Sequence, residues 1–289
     1  MSQDTFRADW IAASFDGCQL RAWPMQGGDP LQMLSCPSGP AGVVADLVSL
    51  TSSWLTPAPL PVVLSGDTEI RPIQVPCKPL DLLPRTDTDR HTRIVLHALP
   101  GLSQNAPCAI MHNAAIRVAG FLSLNTDWDG VICLPGAQTH WAQISAGEVV
   151  SFQSFLTLST LGALAELPGL EAAFSDADWD RDTLADAVSD AMSKPERLAA
   201  RMAEVQANMA LNAPAPAHSH ARLMGLLIGA ELAAARPYWL GQNLAVIGDD
   251  TQSAPYAAAL GQQGVAATIA DAQRMTLAGL TAAWHRLGT

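Results

Sequence analysis

Trp10-Ile11-Ala12-Ala13-Ser14-Phe15-Asp16-Gly17-Cys18-Gln19-Leu20-Arg21-Ala22-Trp23 is the stretch on which the reading of this 289-residue chain turns. Trp10–Ala13 has strand character, Ser14-Phe15-Asp16-Gly17 leads out of it, and Gln19–Trp23 alternates apolar and polar side chains with the period of two that a returning strand requires. Asp-Gly between two such runs predicts a tight hairpin. In a type I′ turn both central residues, here Asp16 and Gly17, take positive φ. The product is a strand, a glycine turn with exposed backbone N–H groups, and a return strand. Such N–H groups are preorganised donors for phosphate oxygens.

The length allows one large domain or two medium-sized ones, each with its own core. Apolar residues make up 49% and charged residues 15%. No run approaches the roughly 18 unbroken apolar residues of a membrane span, so a soluble protein is expected. Met1-Ser2-Gln3-Asp4-Thr5-Phe6-Arg7 has neither a basic region leading into a long apolar run nor a small-residue cleavage site, and a cytoplasmic location is the expectation. The net charge of −11 repels nucleic acid and anionic membranes at long range, so neither is an expected partner. It leaves room for a locally positive pocket that takes a small anion. Cys18, Cys36, Cys77, Cys108 and Cys133 are odd in number and form no C-x-x-C pair, which argues against a disulfide framework and a zinc centre. His218-Ser219-His220 lacks a third ligand at a fixed offset, so no metal site built by the chain alone is expected. No G-x-S-x-G elbow occurs, which removes the usual serine-hydrolase signature.

Along the chain, Gly27-Gly28-Asp29-Pro30 is a turn and Ala41–Leu55 has amphipathic helical spacing. Pro61–Gly66 is a buried strand ending in glycine. Asp67–Arg93 reads as loop with an edge strand or two, Ile94–Leu99 as a strand, and Cys108–Leu124 as a helix. The opening theme then recurs: strand Gly130–Leu134, turn Pro135–Thr139, return strand His140–Ser145, third strand Gly147–Gln153. Helices are expected over Leu156–Leu167, Arg181–Met192 and Lys194–Leu211, the first two separated by the acidic Asp176–Asp180. After a Pro/Ala linker, Ser219 is placed to cap a helix Ala221–Ala235. The end is α/β: strand Leu244–Ile247, loop Gly248-Asp249-Asp250, helix Ala254–Gln262, strand Val265–Ile269 and helix Ala272–Arg286.

On these residues the chain resembles the 2-dehydro-3-deoxygalactonokinase (2-keto-3-deoxygalactonate kinase) family. The family opens close to D-W-G-T-S-N-L-R-A-W; Leu20-Arg21-Ala22-Trp23 match it, while its Asp falls on Ser14, its Gly on Asp16 and its Thr on Gly17. Leu134-Pro135-Gly136-Ala137-Gln138-Thr139-His140-Trp141 lies over the family's second phosphate loop, L-P-G-T-H-S-K-W. Gly225–Leu232 reads as its G-L-L-I-G-A-E-L, and Val246-Ile247-Gly248 as the strand before the base and ribose. Met111–Arg117 lies over a segment close to M-R-G-E-E-T-Q and Phe155–Leu161 over one close to F-M-T-G-E-L-F.

The resemblance implies an α/β, two-lobed actin-like ATPase fold with a central ligand cleft, an amino-terminal lobe over residues 1–126 and a carboxy-terminal lobe over 127–289. It implies transfer of phosphate from ATP, with Mg²⁺, to the 6-hydroxyl of 2-dehydro-3-deoxy-D-galactonate, with a homodimer by family habit. Gly17, Cys18, Gly136, Gln138, Thr139, Gly248 and Asp249 would meet the nucleotide. Arg21, His112, Asn113 and Arg117 would meet the sugar acid. The family's acids, however, fall on Ser14, Ala114, Ala115 and Ser159, none of which ionises near neutral pH. Phosphoryl transfer needs Mg²⁺ on the phosphates and a group to orient or deprotonate the attacking hydroxyl. Asp16, two residues beyond the family's Asp, is the candidate catalytic acid, with turn formation as its competing role; Asp249 and Asp250 are the other acids that could substitute, with loop solvation as theirs. The rival functional expectation is a catalytically impaired relative, a pseudokinase that binds sugar acid or nucleotide and regulates.

Overall fold

The computed structural model describes residues 8–67, 69–87, 92–175 and 178–288; Met1–Arg7, parts of the loop before Ile94 and Asp176-Ala177 of the acidic stretch lie outside them. The described residues form two compact units. One comprises the residues up to Trp128, Ser145–Ser151 and those from Ala272 onward; the other comprises Asp129–Ile144 and Phe152–Asp271.

In the first unit, β1 (Trp10–Phe15) and β2 (Gln19–Gln26) form the hairpin, followed by β3 (Asp29–Pro30), β4 (Leu34–Pro37), α1 (Val43–Leu50), β5 (Leu60–Ser65), β6 (Ile73–Gln74), β7 (Arg85–Asp87), β8 (Ile94–Leu99), β9 (Leu102–Asn105), β10 (Cys108–Met111) and α2 (Ala114–Leu124). The main sheet runs β3-β2-β1-β5-β8-β7, with β4 also on β2; β1 is antiparallel to β2, and β1, β5 and β8 are parallel. Every residue of β1 is buried because both faces of the sheet are covered. Ile11, Ala13 and Phe15 join Val43 and Leu47 of α1 in one core, while Trp10 and Ala12 join Ile116 and Ala119 of α2 in another. Ser14 shares the parity of Trp10 and Ala12, so its hydroxyl is delivered to the α2 side.

The hairpin loop is closed by Asp16 N–H donating to the Gln19 carbonyl at 3.1 Å, which makes Gly17 and Cys18 the central residues. Gly17 has φ +108°, and Asp16 is not among the positive-φ residues. Positive φ at the first central position alone is the requirement of a II′-type hairpin. The I′ expectation is therefore corrected by one position, with Asp16 at the head of the turn. The expected helix Cys108–Leu124 is also shorter. Residues 108–111 alternate exposed and buried, the strand period, and pair with β9, so the helix starts at Ala114.

The second unit contains β11 (Gly130–Leu134), β12 (Thr139–Ser145), β13 (Glu148–Phe155), α3 (Thr157–Leu164), α4 (Arg181–Ser193), α5 (Leu198–Asn212), α6 (Pro216–Ala234), α7 (Arg236–Trp239), β14 (Leu244–Gly248), α8 (Asp250–Gln262) and β15 (Ala267–Asp271). Residues 145–151 of the β12–β13 turn count with the first unit, as does the last helix, α9 (Ala272–Arg286), which packs on α2. The second sheet runs β13-β12-β11-β14-β15, with β11 antiparallel to β12 and parallel to β14. Its hairpin-then-parallel order repeats that of β2-β1-β5-β8, so the recurrence seen in the sequence is a recurrence of topology. Gly225 and Gly229 let α6 approach α4 closely: a Cβ on either would stand 2.6 Å from a backbone carbonyl of α4. The helix starts at Pro216, a residue suited to a first helical position, so Ser219 is buried inside the helix instead of capping it. Among the described residues no helix is long and apolar enough to cross a membrane.

Candidate active site

In the first unit the candidate residues gather at the carboxyl ends of β1 and β5, the edge at which open parallel sheets bind ligands. Ser14 and Ser65 are register partners there. Both hydroxyls donate to Asn113 Oδ1, at 3.0 and 3.2 Å. Asn113 occupies the cap position of α2, yet its side chain makes no capping bond because it is turned to the two serines. Its Nδ2 is buried and has no partner. Ala114 and Ala115, where the family carries acids, are the first residues of that helix. His112 precedes it, half-buried, and burial lowers its pKa, so it is neutral near pH 7. Arg117 lies one turn after Asn113 on the same side of the helix.

The chain leaves β5 through Gly66 and Asp67. Gly66 has φ +96°, and a Cβ there would stand 1.9 Å from the Phe15 carbonyl, so only glycine lets the two strand ends come this close. Asp67 is 5% exposed and accepts the Glu69 N–H at 2.9 Å. With Glu69, Pro40, Ala41, Val43, Val44 and Ala45 it lines a pocket of about 390 Å³. The sequence reading placed Asp67 in a loop and missed it. A buried parallel strand running into Ser-Gly-Asp was the available signal.

Asp16 holds the first loop. Its Oδ1 accepts from Cys18 N at 3.2 Å and Gln19 N at 2.8 Å, and its Oδ2 accepts from Arg21 Nη1 at 2.9 Å. Burial opposes its ionisation, but the Gln19 and Cys18 N–H groups and the Arg21 guanidinium outweigh it and hold the carboxyl below its usual range. Desolvation and the Asp16 charge push the Cys18 thiol up, so it stays neutral. The first unit thus brings Asp16, Gly17, Cys18 and Arg21 together at the hairpin, with Asn113 joined to the same strand end through Ser14.

In the second unit Gly136 and Gln138 lie in the loop after β11, Thr139 opens β12, and Gly248 ends β14, the parallel neighbour of β11, with Asp249 directly after it. Asp249 caps α8, its Oδ1 accepting from Gln252 N at 3.0 Å and Thr251 Oγ1 at 2.8 Å. The first-turn N–H groups of α8 make this edge favourable for an anion. Ser159, where the family has an acid, donates to the Ala137 carbonyl at 2.5 Å and anchors the loop. Beneath lies a network the sequence did not reveal as such. Thr139 Oγ1 is 2.9 Å from Tyr256 OH, which donates to Glu231 Oε2 at 2.8 Å; Thr157 also donates to Oε2, and Trp141 Nε1 donates to Oε1 at 2.7 Å. Burial raises the pKa of Glu231, partly offset by these three donors.

Mg²⁺ taken up with ATP keeps several waters and needs only one or two protein carboxylates beside the phosphate oxygens. Asp16, one residue beyond the end of β1, and Asp67, two beyond the end of β5, are the carboxylates at this edge that could supply them.

A family model described as 2-keto-3-deoxy-galactonokinase matches residues 17–283. A Rhizobium meliloti (strain 1021) protein described as a probable 2-dehydro-3-deoxygalactonokinase is 27% identical over 244 residues, 78% of each chain. A crystal structure of a Sinorhizobium meliloti protein assigned to the same activity superposes with a TM-score of 0.85 over 96% of both chains, at 23% identity, and shows the same fold.

Proposed function

Because the chain belongs to the 2-keto-3-deoxy-galactonokinase family, we propose that it phosphorylates 2-dehydro-3-deoxy-D-galactonate at the 6-hydroxyl with ATP. Beside the family match, the observation that carries the reading is the β1/β5 edge. It holds a buried carboxylate, Asp67, on a pocket and a buried amide, Asn113 Nδ2, still to be bonded. In the transfer, the substrate oxygen bonds to the γ-phosphorus, the bond from that phosphorus to the β-bridging oxygen breaks, ADP leaves, and the hydroxyl proton passes to a base. Asp67 is the proposed base. Asp16 keeps its turn and its charge by holding the Cys18 and Gln19 N–H groups, and the Gly17 N–H group faces phosphate. Gly136, Gln138, Thr139, Gly248 and the α8 terminus beside Asp249 serve the nucleotide. Arg21 and Arg117 supply positive charge for the sugar acid's carboxylate, and neutral His112 and Asn113 Nδ2 supply hydrogen bonds. Mg²⁺, held beside the phosphates by Asp16 or Asp67, would neutralise charge developing on their oxygens.

A second reading, a binding protein that has lost turnover, is favoured by one observation: both oxygens of Asp16 are already engaged, and the hydroxyls of Ser14 and Ser159 make structural bonds where the family has acids. One experiment separates the two. Mg·ATP-dependent ADP release with the sugar acid is measured beside calorimetric binding of each ligand to the same sample. Turnover at about 1–100 s⁻¹, reduced about 100-fold or more by Asp67→Asn, supports the kinase with Asp67 as base. Turnover that Asp67→Asn leaves intact removes Asp67 from that role. Binding without turnover establishes the second reading, and the absence of both overturns each.

A further inference from the structure

We propose a second ligand site, for a small oxyanion, between α5 and α6 of the second unit, away from the loops assigned to the nucleotide. The pocket there has a volume of about 200 Å³, and its polar lining is Arg201, Glu204, Asn208, His218, Ser219 and Arg222. Two guanidiniums converge on it. Arg201 Nη1 and Arg222 Nη2 both bond Asp190 Oδ2, at 2.6 and 2.5 Å, so one carboxylate oxygen from α4 holds both side chains in place. A guanidinium carries five N–H donors, and this oxygen takes one from each. Arg201 is 11% exposed and its Nε–H is buried without a partner. Asp190 stays ionised, chiefly because Arg222 donates to it. Glu204 pairs with Arg197 at 3.4 Å and is 61% exposed, so it does not cancel the pair. Two positive charges against the single charge of Asp190 leave the pocket net positive on a chain whose net charge is −11.

The second observation is Ser219. It is 1% exposed, lines the pocket, and its hydroxyl has no hydrogen-bond partner. A buried hydroxyl left unbonded is costly, and native structures rarely retain one without use. Here it adds a donor to those of the guanidiniums. His218 presents one further ring nitrogen, since its Nδ1 is 2.8 Å from Thr183 Oγ1. Convergent N–H and O–H donors around a small positive cavity recognise a phosphate or carboxylate head, and two arginines suit the fork geometry of either. The volume admits the free ion or a compact metabolite carrying it.

The test titrates inorganic phosphate into the full chain by calorimetry, repeated with a small phosphate monoester and with acetate to separate phosphate from carboxylate recognition. The comparison proteins are Ser219→Ala and Arg222→Gln. Expected are saturable phosphate binding, about tenfold weaker in Ser219→Ala and lost in Arg222→Gln. Ser219→Ala should keep or raise the melting temperature, because it deletes an unbonded buried hydroxyl, and should keep wild-type ADP release or nucleotide binding. Weakened ligand binding without weakened folding is an outcome that a purely structural serine does not give. No phosphate, monoester or acetate binding up to about 10 mM overturns the proposal. Binding that both variants leave unchanged places the anion elsewhere and overturns it equally. The proposal does not depend on the kinase reading, since its variants lie outside the residues given roles in that reaction.

Discussion

Replacing Glu231 by alanine removes the acceptor that three buried donors share, and the two hydroxyls and the indole do not lose equally. Trp141 Nε1 has no other acceptor in the network, whereas Tyr256 OH keeps Thr139 Oγ1 at 2.9 Å. An orphaned buried donor costs about 1–3 kcal/mol. Counting the indole in full, Thr157 and Tyr256 in part, and adding the cavity left by a side chain that is 3% exposed, the loss comes to about 3–5 kcal/mol. Glu231→Gln keeps an acceptor for Trp141, and its amide N–H group can be met by hydroxyls that rotate to accept, so about 1 kcal/mol is expected. The pH dependence separates this account from simple loss of packing. The folded pKa of Glu231 lies above 4.5, so the wild-type side chain contributes most when neutral, and that contribution falls as pH rises from about 4.5 through the folded value. Glutamine does not titrate; its cost relative to wild type is therefore larger near pH 4 than near pH 7. The assay is urea unfolding followed by tryptophan fluorescence and by helical circular dichroism, with the transition of the second unit fitted separately. Alanine and glutamine variants of equal stability, or an alanine variant within about 0.5 kcal/mol of wild type, would refute the reasoning. Thr139 opens β12 directly after the second loop, so on the proposed function the alanine variant should also bind nucleotide more weakly.

Gly66→Ala should be among the most damaging single-methyl additions in the first unit: its Cβ meets the Phe15 carbonyl at 1.9 Å and its φ of +96° is unfavourable for alanine, so a loss of about 3 kcal/mol or more is expected in thermal or urea unfolding. Asp16→Asn retains an acceptor for the Cys18 and Gln19 N–H groups and loses the ion pair with Arg21, which is 37% exposed; the change near pH 7 should be no more than about 1 kcal/mol. Because the folded pKa of Asp16 lies below 3.8, the wild-type advantage is present above that value and disappears as pH falls through the folded pKa, so melting curves of the two proteins should converge in acid. If Asp16 only shapes the loop, the same variant keeps ADP release within about tenfold of wild type; a loss of about 100-fold or more would return the catalytic role to it.

The parts of the fold legible in the sequence were those with an unambiguous period. Ile94–Leu99 and Ala272–Arg286 run as read, and both hairpins are present at the heads of their units. Cys108–Met111 was misread because four alternating residues joined to a helical run fit both periods, and only pairing to β9 decides between them. Turn chemistry shifted the first loop by one residue, since Asp-Gly marks a turn without saying which of the two heads it. Of the candidate site, the loop glycines and Asn113 enter as expectations through resemblance alone. Asp67 and the Glu231 network were not legible, because their significance lies in burial and in partners up to 117 residues away along the chain.

Ser14 and Ser159, which lie where the resembled family pattern has acids, hold their loops by hydrogen bonds. A carboxylate at position 14 would face Asn113 Oδ1, which now accepts from both Ser14 and Ser65; serine, a donor, removes that conflict and lets one amide oxygen join β1 to β5. The amide's other end, Nδ2, is left buried and unbonded, the end that would have served an anionic neighbour. Ser159 acts likewise in the second unit, donating to the Ala137 carbonyl at a point where a carboxylate would be repelled by it. In both units the hydroxyl therefore stabilises the loop that an acid would have armed, and the strand-loop-strand geometry survives without the charge. In the proposed reaction the base is a carboxylate delivered from a different strand end to the same edge. Asp67 has that position because Gly66 brings the end of β5 against the Phe15 carbonyl at the end of β1.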